Sequence, residues 1–227
     1  MASPTGLMYK VSVGEVPYAV ALGWQDRLVA ARQADEIDDV LLLLTHPAVY
    51  TAGRNADVEA SVTGARPDIP VIRIDRGGDL TYHGPGQVVA YPIMRVPRTG
   101  AAKAYVTALE EALITTVASF GVTCDRRPGY PGVWVDGTPP EKIAAIGIRI
   151  TRGVTKHGVA LNVSPDMRDF DGIVPCGITD GGVTSLTELG ARADIEGASA
   201  RLGAALGRTL ERTLQPVTVE DLGLSAV

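Results

Sequence analysis

The sequence predicts an α+β fold, a mixed β-sheet with helices packed on it, and three observations carry that expectation. Segments of helical and of strand-like periodicity alternate along the chain. Several of the strand-like segments are joined by tight turns rather than long crossovers. No repeat, low-complexity tract or linker marks a boundary, so residues 1–227 are read as one domain. A chain of 227 residues, 45% of them hydrophobic, can bury a sizeable core.

Taken in order, Glu15 to Asp38 places apolar residues at helical spacing with charges on the other face, which predicts a helix. "DVLLLLTHPAVYTAGR" reads as a short buried strand that stops at His46-Pro47, because proline ends regular structure. "IPVIRIDR" alternates as a strand does. "GGDLTYHGPGQ" follows as a glycine-rich loop, and "VVAYPIMRV" resumes strand character. "AAKAYVTALEEALITTVASFG" predicts a helix closed by Gly121. "GVWVDGTPPEKIAAIGIRI" predicts a hairpin turning at Asp136-Gly137 and Pro139-Pro140, and "VTKHGVALNVS" the strand after it. "ADIEGASARLGAALGRTLERTL" predicts a final helix.

Composition bounds the chemistry. A net charge of −5 with no basic tail argues against general nucleic-acid binding. The longest apolar run, Val40 to Leu44, is too short to span a bilayer, and the N-terminal residues do not resemble a secretory signal. Only Cys124 and Cys176 are present, which fits reduced thiols and a cytoplasmic setting better than a disulfide scaffold. His46, His83, His157 and the two cysteines show no metal-ligand spacing, so no metal is expected. The strand-to-glycine pattern at "RIDRGGDLTYHGPGQ" is neither a P-loop nor a dinucleotide fingerprint, and no G-x-S-x-G occurs. Lysine is rare against arginine. Those at positions 10, 103, 142 and 156 are candidates for chemistry that arginine, which stays protonated, cannot perform.

Cys176 sits in "IVPCGITDGG", a turn-rich stretch where a space-filling thiol is out of place. Neighbouring glycine amides there could face an oxyanion. A thiol acts as a nucleophile only as its thiolate, so it needs a basic or cationic neighbour, the free group titrating near ~8.5. Cys124, in the strand-like "GVTCDRR", reads as structural.

The blocks "THPAVYTAGR", "RGGDLTYHGPGQVVAYPI", "EKIAAIGIRI", "HGVALNV" and "VPCGITDGGVTSL", spread from about Tyr9 to Leu189, resemble the octanoyltransferases of lipoate biosynthesis. The resemblance implies a fold like the lipoate/biotin protein ligase catalytic domain. It implies Cys176 as the nucleophile and Lys142 as its paired lysine. It also implies a substrate-binding set of Arg76, Gly77, Gly78, Asp79, Leu80, Thr81, Tyr82 and His83, with Ala145, Ile146, Gly147, Gly158, Val159 and Ala160. The implied reaction moves an octanoyl (or lipoyl) group from acyl carrier protein through a cysteine thioester to a lysine of apo lipoyl domains. Those acceptors are the E2 subunits of 2-oxoacid dehydrogenases and the glycine cleavage H protein. No ATP and no cofactor are required, since the thioester already carries the activation.

Burying an octanoyl chain is worth about 0.8 kcal/mol per methylene, and the small residues of "AAIG" and "HGVA" are expected to leave the slot open for it. His83 either lines the slot or ties down the glycine loop, and His157 is read as structural. Arg54, Arg76, Arg149 and Arg152 form a candidate basic patch for acidic carrier domains. Two rival readings remain. An ATP-dependent lipoate or biotin ligase of the same fold would not need Cys176, and a non-catalytic lipoyl-domain binder would form no acyl adduct.

Overall fold

A computed structural model describes residues 6–97, 100–173 and 181–224 of the chain. The sheet in it is mixed, as the sequence predicts. Its strands are β1 (Leu7–Glu15), β2 (Asp39–Thr45), β6 (Gln87–Ile93), β7 (Asp125–Arg127), β8 (Tyr130–Val135), β9 (Glu141–Thr151), β10 (Val154–Asn162), β11 (Gly182–Val183) and β12 (Thr213–Pro216). Their order across the sheet is β12-β1-β2-β6-β10-β9-β8-β7, with β11 alongside β9. β1 runs parallel to β2 and β12, and β11 parallel to β9, while the β2–β6–β10–β9–β8–β7 run is antiparallel. A second, three-stranded sheet of β3 (Val49–Ala52), β4 (Val71–Arg73) and β5 (Leu80–His83) has the order β4-β3-β5.

Central strands buried on both faces read as unbroken apolar runs, and β2 and β6 are such strands. Leu41 and Leu43 point into one core with Met8, Val88, Val159 and Leu161, covered by the helices α3 (Ala101–Ala118) and α4 (Ile195–Thr209). Leu42 and Leu44 point to the opposite face with Val89, Tyr91 and Ala160, under the helix α1 (Tyr18–Gln33). α1 buries Tyr18, Ala21, Trp24 and Leu28, the i, i+3, i+4 stripe that the sequence shows. The small sheet has its own core of Tyr50, Leu80, Tyr82, Phe170 and Ile173.

Several segments differ from the sequence-based expectation, among them β3, which follows the His46-Pro47 stop. β12 forms an edge of the large sheet and β1 lies between it and β2, both where no strand is predicted, and their pairing brings the two ends of the described chain together. "IPVIRIDR" contributes only the three residues of β4. The glycine loop contains β5, because Leu80 to His83 find a partner in β3 that lies some thirty residues earlier and carries no local signal. Gly121, expected at the end of α3, lies just beyond it at φ 81°, the left-handed conformation that a stop requires.

Candidate active site

A cavity of about 450 Å³ opens on the α1 face of the large sheet, where α1 no longer covers β9 and β8. Its floor is the β9–β10 pair. Ala145 sits opposite Ala160, and Gly147 opposite Gly158, so four small residues share one face of two strands. The two glycines do not leave empty room. A Cβ on Gly147 would lie 2.7 Å from Arg76 Cδ, and one on Gly158 would lie 2.1 Å from the Ala90 carbonyl oxygen. Gly147 therefore gives passage to the Arg76 side chain and Gly158 lets β10 approach β6. The open width of the cavity comes from the two alanines, which narrows the expectation drawn from "AAIG" and "HGVA".

The glycine loop forms the wall. The Gly77 amide donates to the Ile148 carbonyl at 2.9 Å, which lays the loop over β9. Arg76 is buried and crosses beneath it, its Nη2 donating to the Thr51 carbonyl at 2.6 Å and to Thr51 Oγ1 at 3.0 Å. Gly78 and Asp79 also line the cavity. β5 then alternates as a strand must: Thr81 and His83 face the cavity, while Leu80 and Tyr82 belong to the core of the small sheet. Tyr82 donates to Asp169 Oδ2 at 2.6 Å. Asp169 also takes the Arg66 guanidinium, and Tyr50 donates to its backbone carbonyl, so this cluster fastens the turn Met167–Gly172 to the small sheet.

At the β8–β9 end stands Lys142, 8% exposed, with its Nζ 4.8 Å from the centre of the Trp134 ring. Trp134 is held by its own indole N–H, which donates to the Tyr130 carbonyl at 3.1 Å. The Arg127 guanidinium lies 4.9 Å from the same ring and 4.3 Å from that of Tyr130. Cys176 lies outside the described residues. On its N-terminal side Ile173 bridges to Val62, and on its C-terminal side Val183 pairs with Lys142 while the Thr184 amide donates to the Lys142 carbonyl at 3.1 Å.

At the opposite end the polar groups include imidazoles and phenols. His46 donates from Nδ1 to the Val16 carbonyl at 2.6 Å and accepts from the Tyr91 hydroxyl at 2.8 Å. His83 stacks on Tyr18 with ring centres 5.8 Å apart. Burial pushes His46 down to about 4 and His83 to about 3, so both rings are uncharged at neutral pH. His157, read as structural from sequence, lines the cavity and donates from Nε2 to Asp75 Oδ1 at 2.6 Å. Asp75 also binds Arg149 at 2.7 Å, so Arg149 is engaged in the wall. With Arg76 buried as well, only Arg54 and Arg152 of the expected basic patch are exposed. Cys124 is half-buried against the α3–α4 core, and burial pushes its thiol up to about 11, the state of an inert cysteine.

Sequence reasoning did not single out Tyr18, Tyr91, Trp134, Gln87 or Asn162. The last two lie inside quoted blocks, but only the fold shows that β6 and β10 bring them together. A larger groove of about 1000 Å³ contains none of the expected site residues; there the Arg32 and Arg212 guanidiniums pair with Asp39, which also accepts the Arg95 backbone amide, while the Arg95 guanidinium pairs with Asp35. Among the described residues no helix is long and apolar enough to cross a membrane.

Comparison with known proteins agrees with this geometry. Residues 17–207 match the family described as the lipoyl protein ligase A/B catalytic domain. The octanoyltransferase of Acidothermus cellulolyticus is 52% identical over 181 residues, covering 78% of this chain and 80% of that protein. The octanoyltransferase of Thermobifida fusca is 45% identical over 227 residues, covering 94% and 95%. In fold, the bipartite lipoate protein ligase of Thermoplasma acidophilum aligns with a TM-score of 0.70 at 14% identity, over 94% of this chain and 87% of that one. The family match, with a fold that agrees, thus makes this a lipoyl protein ligase A/B catalytic domain. Within that class the chain belongs to the octanoyltransferases, a family of acyltransferases.

Proposed function

We propose that this chain transfers octanoyl groups from the thioester of acyl carrier protein to a lysine of apo lipoyl domains, in the cytoplasm, through an acyl-enzyme on Cys176. The observation that carries the reading is Lys142: a buried ammonium at the end of an apolar cavity, on the strand that pairs with the segment following Cys176. A cation beside a thiol favours thiolate and so activates it. In the first step the Cys176 sulfur attacks the donor carbonyl carbon. A new C–S bond forms, the donor's C–S bond breaks, and the released thiolate takes a proton from Lys142. In the second step the lysine amine of the lipoyl domain attacks the enzyme thioester. The C–N bond forms, the C–S bond breaks, and the amine's proton passes through Lys142 to the Cys176 sulfur. One thioester replaces another and then becomes an amide, so no nucleotide enters.

Arg76, Gly77, Gly78, Asp79, Thr81 and His83 would hold the substrate from the loop side, and Ala145, Ile146, Gly147, Gly158, Val159 and Ala160 from the sheet side. Leu80 and Tyr82 support that wall from behind. The acceptors are read as the lipoyl domains of 2-oxoacid dehydrogenase E2 subunits and the glycine cleavage H protein. Intact-mass spectrometry after incubation with octanoyl-carrier protein tests the reading. A gain of one octanoyl group, kept in Cys124→Ala and lost in Cys176→Ala, is expected. ATP-dependent transfer that survives Cys176→Ser would sink it in favour of a ligase.

A further inference from the structure

The proposed acyl transfer needs the Lys142 ammonium in a fixed place, yet Lys142 stands where its own sheet is irregular. The β8–β9 register slips between Val133 and Trp134: Val133 pairs with Ala144 and Trp134 with Lys142, so Ile143 is an extra residue on β9. Such a bulge disrupts the ladder around it, and β8 alone leaves the Lys142 backbone weakly held. On the other side of β9 the ladder with β10 has already ended, its last pair being Leu161 with Ala144.

Residues 184–187 bond to both strands beyond that last pair. The Thr184 amide donates to the Lys142 carbonyl at 3.1 Å. The Leu186 amide donates to the Asn162 carbonyl at 3.1 Å, and the Thr187 amide to the Val163 carbonyl at 3.0 Å. Lys142, Asn162, Thr184 and Ser185 are buried, so each backbone polar group at this junction needs a partner inside the protein. The Thr184 carbonyl finds its partner in a side chain. It can only accept, so the Asn162 atom 2.9 Å from it is the donating Nδ2. Asn162 is fixed in turn, its Oδ1 accepting from Gln87 Nε2 at 2.9 Å.

The Lys142 side chain leaves this junction across β8. A Cβ on Gly132 would lie 3.5 Å from Lys142 Cε, so the stem passes over a bare glycine and carries Nζ to the Trp134 ring. Where the ammonium stands on that ring therefore follows from where the Lys142 backbone is held.

We infer that Asn162 is a positioning residue for Lys142: through Thr184 it holds β9 beyond the bulge, and so sets where the ammonium stands over Trp134. Asn162 is not among the residues lining the cavity, and it acts through Lys142. The consequence for turnover rests on the acyl-enzyme reading, whereas the placement is measurable without substrate.

The chain has two tryptophans, so proton–nitrogen NMR of the full chain shows two indole signals. Lys142→Met is expected to move that of Trp134. In Asn162→Leu, which keeps bulk and removes both side-chain hydrogen bonds, the same signal is expected to move toward its place in Lys142→Met. Formation of the octanoyl adduct, followed by mass, should slow about tenfold, and its pH dependence should shift to higher pH. Asn162→Ser, too short to reach Thr184, is expected to behave alike and serves if the leucine variant fails to fold. A merely structural role predicts a lower melting temperature with the Trp134 signal and the pH dependence unmoved, and that result overturns the inference. Indole signals that stay in place in Lys142→Met overturn it as well, because the ammonium then does not stand over the ring. If the signals move as expected but wild type takes no octanoyl adduct, the acyl-enzyme reading falls and the placement of Lys142 stands.

Discussion

At the β8–β9 end of the cavity the polar groups are cations resting on aromatic rings. At the β5–β6 end they are imidazoles and phenols shut in beneath α1. Lys142 and Arg127 share the Trp134 ring, whereas His46, His83, Tyr18 and Tyr91 neighbour one another. The difference lies in what each end exchanges with water. The lysine end opens beside Tyr130, 37% exposed, although Lys142 itself is buried. At the histidine end burial keeps the His46 and His83 rings neutral. One cavity thus has cations on aromatic rings at one end and buried imidazoles at the other.

The largest effect is expected at the lysine end. Lys142→Arg keeps the positive charge but removes the ability to give up a proton, and transfer should fall by about 10²–10⁴-fold, the usual worth of a positioned acid–base group. Near-normal octanoyl transfer in this variant would show that charge alone is enough, and that both ends of the cavity work by electrostatics.

Acid should break the histidine end next. Folding lowers the pKa of His46 to about 4, His83 to about 3 and His157 to about 4, in each case chiefly through burial, from an ordinary value near ~6.5. Between those values the unfolded chain binds more protons than the folded one, so stability rises with pH through this window. The contribution is complete above about pH 6.5 and is lost as pH falls toward 4, a tenfold difference in proton affinity between the two states being worth about 1.4 kcal/mol. Urea midpoints at pH 7, 5.5 and 4.5 should decline in that order with an unchanged slope. A flat midpoint across this range would show that water reaches these rings.

The same contrast explains what the sequence disclosed. The α1 stripe, the β8–β9 hairpin and α3 were legible because each rests on local periodicity and local turn residues. The β5 strand was hidden in a glycine-rich segment, since its partner β3 is remote and four residues are too few to show alternation. Lys142 and Cys176 could be named through the resemblance, but the 34 positions between them (176 − 142) carry no spacing rule. Trp134 looked like one more strand residue until β8 and β9 were paired. Nothing in the local pattern singles out Gln87 or Asn162, which meet only because β6 and β10 are paired. Polar networks are written in tertiary register, which hydrophobic patterning does not encode.

The slot between the two ends should respond to size alone. Ala160→Leu adds three carbons to a floor position that is 3% exposed, where overpacking costs roughly 1–3 kcal/mol. Competition between octanoyl and butanoyl carrier protein should shift toward the shorter chain by about tenfold or more, while the melting temperature falls only modestly. Equal loss for both chain lengths would place the acyl chain elsewhere and leave the alanine pair a packing feature.

The smallest expected effect concerns what the Trp134 ring does for Lys142. A cation over an aromatic face is worth about 0.5–2 kcal/mol, and in the proposed mechanism the Lys142 ammonium is what favours the Cys176 thiolate. Trp134→Leu removes the face and keeps an apolar filler, whereas Trp134→Phe keeps a weaker face. The rate of Cys176 alkylation against pH should therefore move to higher pH in Trp134→Leu and lie between the two in Trp134→Phe. A packing role alone predicts lower stability for both variants with the alkylation profile unmoved. The profile therefore decides whether the aromatic ring at this end tunes the charge, as burial does at the other, or merely fills the space beside it.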